Sequence, residues 1–127
     1  MQIKHIAVYT MQLERMKTFY ETYFSAVSNG KYINPDKGFE SYFLSFDGEC
    51  QLELMQLQMV RKIDQSVPFI GLHHFAIAVG SEENVDELTL KLKDDGYTVV
   101  GKPRRTGDGY YESVILDPDG NRVEITV

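Results

Sequence analysis

The 127-residue chain carries 13 basic and 19 acidic residues, a formal charge of −6, with 43% apolar and 12% aromatic content. That is enough apolar material for one packed domain, and too acidic a balance for a nucleic-acid partner, whose phosphates need a basic surface. A single cysteine, Cys50, excludes an internal disulfide framework and fits a reducing compartment.

In chain order, residues 3–9 (IKHIAVY) alternate in the manner of a strand. In 13–24 (LERMKTFYETYF) apolar side chains fall at 13, 16, 19, 20, 23 and 24, one face of a helix. Asn29-Gly30, Asn34-Pro35 and Lys37-Gly38 are turn signals. Residues 39–46 (FESYFLSF) and 51–57 (QLELMQL) read as strands joined by a tight turn at Asp47-Gly48. The stretch 58–71 (QMVRKIDQSVPFIG) is polar at its centre, contains a proline, and is read as a linker.

A strand pattern returns at 72–79 (LHHFAIAV). Ser81 then offers an N-cap with Glu82 and Glu83 in the first turn, and the helix through VDELTLKLKDD should stop at Gly96. Three strands follow: YTVVG, YYESVIL and NRVEITV, the last two joined by a turn at DPDG, 117–120. Neither a signal-peptide core nor an apolar run of roughly 18 residues occurs, so a soluble cytoplasmic protein without membrane contact is the expectation.

Each half therefore reads strand, helix, about three strands, and the halves repeat with an offset of roughly 70 residues. IKHIAVYT lies on LHHFAIAV when His5 is laid on His74, and QLELM lies on RVEIT when Glu53 is laid on Glu124. The expected organisation is one α+β domain over 1–127, with module one about 1–57, the linker about 58–71 and module two about 72–127.

Strand parity then separates packing residues from the rest, because successive side chains point to opposite faces. Phe75, Ile77 and Val79 form a bulky set suited to packing on a helix, so His74 faces the other way with the small Ala76 and Ala78. Ile6 and Val8 leave His5 with Ala7; Leu52 and Leu54 leave Glu53; Val123, Ile125 and Val127 leave Glu124. Repeats curled into an open barrel with helices outside would bring His5, Glu53, His74 and Glu124 to its interior. Two imidazoles and two carboxylates suit Ni2+, Co2+, Fe2+, Mn2+ or Zn2+, and a cation relieves the cost of burying two acids.

The segments IKHIAV, LELM, HHFAIAV and LDPDGNRVEI, with the paired βαβββ order, resemble the vicinal oxygen chelate superfamily over the whole chain. This superfamily includes glyoxalase I, methylmalonyl-CoA epimerase, extradiol dioxygenases, fosfomycin-inactivating thiol transferases and bleomycin-binding proteins. The resemblance implies two βαβββ modules forming a curved eight-stranded mixed sheet around a cavity, with metal ligands at His5, Glu53, His74 and Glu124. A carboxylate at the second ligand position looks like glyoxalase I and the lactoylglutathione lyase-like bacterial proteins, with Ni2+ or Zn2+ as the ion. Glyoxalase I places Arg and Asn four residues after its first two ligands to contact glutathione; here Tyr9 and Leu57 stand there, so that clamp is missing.

The implied activity is a lyase or isomerase acting on the hemithioacetal of an α-oxoaldehyde through a metal-stabilised enediolate, with Glu124 and Glu53 as proton carriers. Tyr9, on the His5 face, and Arg104, Arg105 and Tyr111 of the stretch RRTGDGYY are the candidate substrate contacts. The partners expected are a small-molecule substrate and, as in much of the superfamily, a second copy of the chain. A thiol transferase or dioxygenase on the same scaffold, or a sequestering protein without chemistry, are the alternative expectations.

Overall fold

Helix α1 (Leu13–Phe24) buries Leu13, Met16, Phe19, Tyr20 and Phe24 along one stripe, as the spacing predicts. The computed structural model describes residues 1–62, 64 and 70–127, so part of the expected linker lies outside the described residues. The chain divides into two compact units, Met1–Ile63 and Asp64–Val127.

In the first unit, α1 follows strand β1 (His5–Tyr9) and precedes β2 (Val27–Ser28), β3 (Tyr32–Asn34), β4 (Phe39–Ser45) and β5 (Gln51–Leu57). The sheet order is β1-β5-β4-β2, with β3 also on β4; β1 and β5 run parallel and the other pairs antiparallel. The helix starts without a side-chain cap of its own from Gln12, but Thr10 Oγ1 accepts the Gln12 N–H at 2.9 Å and Gln56 Oε1 accepts that of Leu13 at 3.2 Å. These acceptors satisfy donors that a helix start leaves open. At the other end Ser25 adopts φ 52° and the Ala26 N–H closes onto the Tyr20 carbonyl at 3.2 Å.

Strands β2 and β3 were not marked by the sequence pattern, and they are two pieces of one edge strand on β4. The break falls at the Asn29-Gly30 turn signal. Asn29 bridges it: its N–H donates to the Phe43 carbonyl at 3.0 Å and its Oδ1 accepts the Phe43 N–H at 2.8 Å, so a side chain replaces a ladder acceptor. The β4–β5 connection is also longer than the two-residue turn expected, running from 46 to 50.

The second unit repeats the plan with β6 (His74–Ala78), α2 (Glu82–Asp94), β7 (Val99–Arg105), β8 (Tyr111–Leu116) and β9 (Arg122–Thr126), in sheet order β6-β9-β8-β7. Strands β6 and β9 are parallel, as β1 and β5 are. Ser81 Oγ accepts the Asn84 N–H at 3.1 Å, the cap that the sequence indicates. Gly96, at φ 91°, lets the Tyr97 N–H reach the Leu92 carbonyl at 2.9 Å and ends the helix. Val85, Thr89 and Leu92 are buried on α2, and Thr89 Oγ1 lies 2.6 Å from Ser113 Oγ of β8 in the core of this unit.

The fold is therefore α+β: two βαβββ units, each a mixed sheet with its helix packed on one face. Among the described residues, nine strand segments stand in place of the eight expected, the extra one arising from the split edge strand.

Candidate metal centre

Within the first unit, Tyr42, Leu44, Leu52 and Leu54 are buried, and Tyr42 Oη bonds the Glu14 carboxylate of α1 at 3.2 Å. That marks the helix-covered face of the sheet. Glu53 alternates with the two leucines and so lies on the other face, opposite Phe43 in the β4–β5 ladder and beside Ala7 in the β1–β5 ladder. His5, two residues before Ala7, brings Nε2 to 3.9 Å from Glu53 Oε2, and its ring meets Phe43 edge-on at 5.4 Å.

The second unit holds the same arrangement. Ile115, Val123 and Ile125 are buried on the α2 side with Ser113. Glu124 lies on the opposite face beside Ala76, and His74 Nε2 stands 3.5 Å from Glu124 Oε2. In both units the methyl group of an alanine leaves room next to the carboxylate for the diagonal histidine. Both glutamates are largely covered, with side-chain exposures of 15% and 18%, while His5 and His74 keep 47% and 42%.

Burial pushes the Glu124 carboxyl above the usual carboxylate range, and the nearby Glu112 pushes it further, while His74 pulls it back. A covered acid opposed by a second acid is a site that favours a cation. Each unit supplies one imidazole and one carboxylate, a donor set that fits Ni2+ or Zn2+ chemically. Within neither unit do the described residues gather three or more His, Cys, Asp or Glu side chains around one point.

Three residues beside these pairs were not among the candidate site residues. His73 sits just before β6, with Nδ1 2.8 Å from His74 Nδ1. In the tautomer where His74 Nδ1–H donates, the His74 Nε2 lone pair is left facing Glu124, the outer-sphere orientation that metal-binding histidines need. Glu112 shares the Glu124 face through the β8–β9 register. Arg122 is the direct neighbour of His74 across β6–β9. Parity in YYESVIL and NRVEITV carried the signal for the last two; nothing local carried it for His73.

The candidate substrate contacts divide. Tyr9 is exposed and shares the parity of His5. Arg104 faces Glu112 across β7–β8, with Nη2 3.4 Å from its carboxylate. Arg105 and Tyr111 turn instead to α2: Arg105 pairs with Glu82, and Tyr111 Oη donates to Asp86 Oδ1 at 2.8 Å, with the Arg105 guanidinium 5.8 Å from the Tyr111 ring. The cause is parity, since Tyr111 alternates in step with the helix-facing Ser113 and Ile115. Asp117, as expected of DPDG, is turn chemistry: it is buried, its Oδ1 accepts the N–H groups of Asp119 and Asn121 at 2.9 Å each, and its Oδ2 accepts from the Asn121 amide at 2.8 Å.

A family model described as the Glyoxalase/Bleomycin resistance protein/Dioxygenase superfamily matches residues 2–125. The chain belongs to that superfamily. Among this superfamily member's solved neighbours, glyoxalase I from Zea mays superposes with a TM-score of 0.79 at 27% identity, covering 98% of this chain and 44% of the maize chain. A glyoxalase family protein from Enterococcus faecalis superposes with a TM-score of 0.81 at 22% identity, covering 99% and 97%, a likeness of fold. Among curated proteins, the uncharacterised YqjT of Bacillus subtilis is 39% identical over 59 residues, which is 44% of this chain and 46% of that protein. The chain thus spans less than half of both the curated relative and the maize enzyme. No helix among the described residues is long and apolar enough to cross a membrane.

Proposed function

We propose that this chain is a divalent-metal-dependent lyase of the glyoxalase I type, isomerising the hemithioacetal of a small α-oxoaldehyde. One observation carries the reading: the His–Glu pair recurs in both units at matching register, His5 with Glu53 and His74 with Glu124, on the face away from the helix. A structural role alone would not require the same imidazole, carboxylate and small neighbour at both places.

His5, Glu53, His74 and Glu124 hold the cation, Ni2+ or Zn2+ by preference and Co2+, Fe2+ or Mn2+ by the same donor chemistry. When bound, the ion supplies Lewis-acid stabilisation of negative charge developing on the substrate's adjacent oxygens. Glu124 takes the proton from the carbon bearing sulfur and returns it to the neighbouring carbon, with Glu53 as the carboxylate able to serve the opposite face. Over the cycle one hydrogen moves between the two carbons and the hydroxyl proton moves to the other oxygen, so a hemithioacetal becomes a 2-hydroxyacyl thioester without an oxidant. His73 fixes the ring of His74, and Tyr9 and Arg104 face the substrate. Arg105 and Tyr111 act by holding the 106–110 turn against α2.

The working form is proposed to be a cytoplasmic homodimer, an assembly common in the superfamily; the exposed Cys50 fits a reducing compartment. The test is metal analysis of protein expressed in metal-supplemented medium, combined with turnover of methylglyoxal adducts of several thiols. About one ion per chain and a thioester product are expected. Protein that retains no divalent ion and turns over none of the adducts refutes the proposal and leaves sequestration.

A further inference from the structure

The face of the second sheet that carries His74 and Glu124 holds two acids, Glu112 and Glu124, each with a basic side chain beside it. His74 stands beside Glu124, and Arg104 beside Glu112. Arg122 lies outside both pairs. Its strand neighbours on this face are His74 on one side and Leu116 on the other, it is half-buried, and its side chain forms no hydrogen bond or ion pair with any other described residue. A guanidinium carries five donors in a planar fork matched to a carboxylate, and it cannot shed its charge.

The first unit shows what the same position looks like when it is only structural. Gln51 there pairs with His5 in the ladder and precedes the liganding glutamate by two residues, as Arg122 does with His74 and Glu124. Gln51 is neutral, and its amide is spent on Ser45 Oγ at 2.9 Å. The duplicated frame has thus kept a tied neutral side chain in one unit and placed an untied cation in the other. Other lysines and arginines with no side-chain partner among the described residues, such as Arg61, Lys62 and Lys102, lie exposed, where water satisfies them.

Resting on the glyoxalase-type reading of this face, we propose that Arg122 is a specificity-determining residue and that the substrate carries a carboxylate which Arg122 grips. Arg122 and His74 are ladder partners whose backbones lie one strand spacing, about 5 Å, apart, so a carboxylate held by Arg122 belongs to a compact substrate. It resides on the thiol carrier or on the hydroxyacyl portion; both present the same two oxygens to the fork.

The experiment measures calorimetric binding of three stable thioesters to the Ni2+-supplemented protein. S-lactoyl-2-mercaptoethanol is neutral, S-lactoyl-3-mercaptopropionate places the carboxylate on the carrier, and S-malyl-2-mercaptoethanol places it on the acyl portion. At least one anionic thioester should bind tenfold or more tightly than the neutral one, and the better of the two identifies the carrier or the acyl group as the source. Arg122→Met should bring that ratio close to one, and Arg122→Lys should restore part of it, with melting curves confirming that both variants fold. Equal binding of all three thioesters, no binding of any, or a preference surviving in Arg122→Met overturns the inference. Metal content of the same samples keeps the two claims apart. Retained metal without carboxylate preference refutes only the Arg122 role, whereas an Arg122-dependent preference without retained metal refutes only the metal reading.

Discussion

Glu53 and Leu54 are adjacent in β5 and point to opposite faces, which makes them a matched pair of perturbations. Leu54 is fully buried, and truncating such a leucine to alanine costs about 2–5 kcal/mol from lost transfer energy and the cavity left behind. For a chain of this size about 1 kcal/mol shifts the melting temperature by about 4 °C, so Leu54→Ala should melt about 8–20 °C lower. Glu53 keeps 15% side-chain exposure and touches His5 only at 3.9 Å. Its removal from the metal-free protein relieves a desolvated charge and should change stability by less than about 0.5 kcal/mol.

Metal should reverse the ranking. An ion at about 100 times its dissociation constant stabilises the folded state by about 2.7 kcal/mol, or about 11 °C on the same conversion. Wild type and Leu54→Ala should both show that increment on adding Ni2+ or Zn2+, while Glu53→Ala should lose most of it. Thermal melts of the three proteins with and without metal read both effects in one assay. An intact increment in Glu53→Ala, or a metal-free loss as large as that of Leu54→Ala, refutes the assignment of faces on which the site depends.

Three further outcomes are expected. Thr89→Val breaks the 2.6 Å contact with Ser113 and should destabilise by about 1–3 kcal/mol by urea titration, with Ser113→Ala in the Thr89→Val background recovering part of the loss. Lys31 holds the Glu14 carboxyl below its ordinary value of 4.5, and Ser28, with Lys17, does the same for Glu21. A lowered carboxylate contributes stability present above its unfolded value and lost as pH falls through the folded one. The Glu14→Gln/Glu21→Gln double variant should therefore show a shallower fall in melting temperature below about pH 5 than wild type. Tyr111→Phe deletes the hydroxyl that reaches Asp86 and should cost about 1 kcal/mol, while metal content measured by elemental analysis stays at the wild-type level.

Much of this protein was legible before any coordinates, because its main signals are local. A period of two sorts His5, Glu53, His74 and Glu124 from the leucines, valines and isoleucines beside them, and the burial along β1, β5, β6 and β9 follows that sorting. Ser81 and Gly96 bound α2 through chemistry confined to one turn at each end. The repeat of about 70 residues declared two like units.

What stayed hidden depends on neighbours remote in sequence. The edge strand of the first unit exists because Asn29 reaches Phe43 across a break that reads locally as a turn. Parity alone puts Tyr111 on the helix side, but the pairing of Arg105 and Tyr111 with Glu82 and Asp86 of α2 depends on side-chain reach, and the contact of His73 with His74 depends on ring rotation that no spacing rule describes. The sequence by itself determined which side of each strand every residue takes, since alternation is a property of the backbone. Only the tertiary structure decided which charges find partners there and which, like Arg122, do not, since pairing depends on ladder register and side-chain reach.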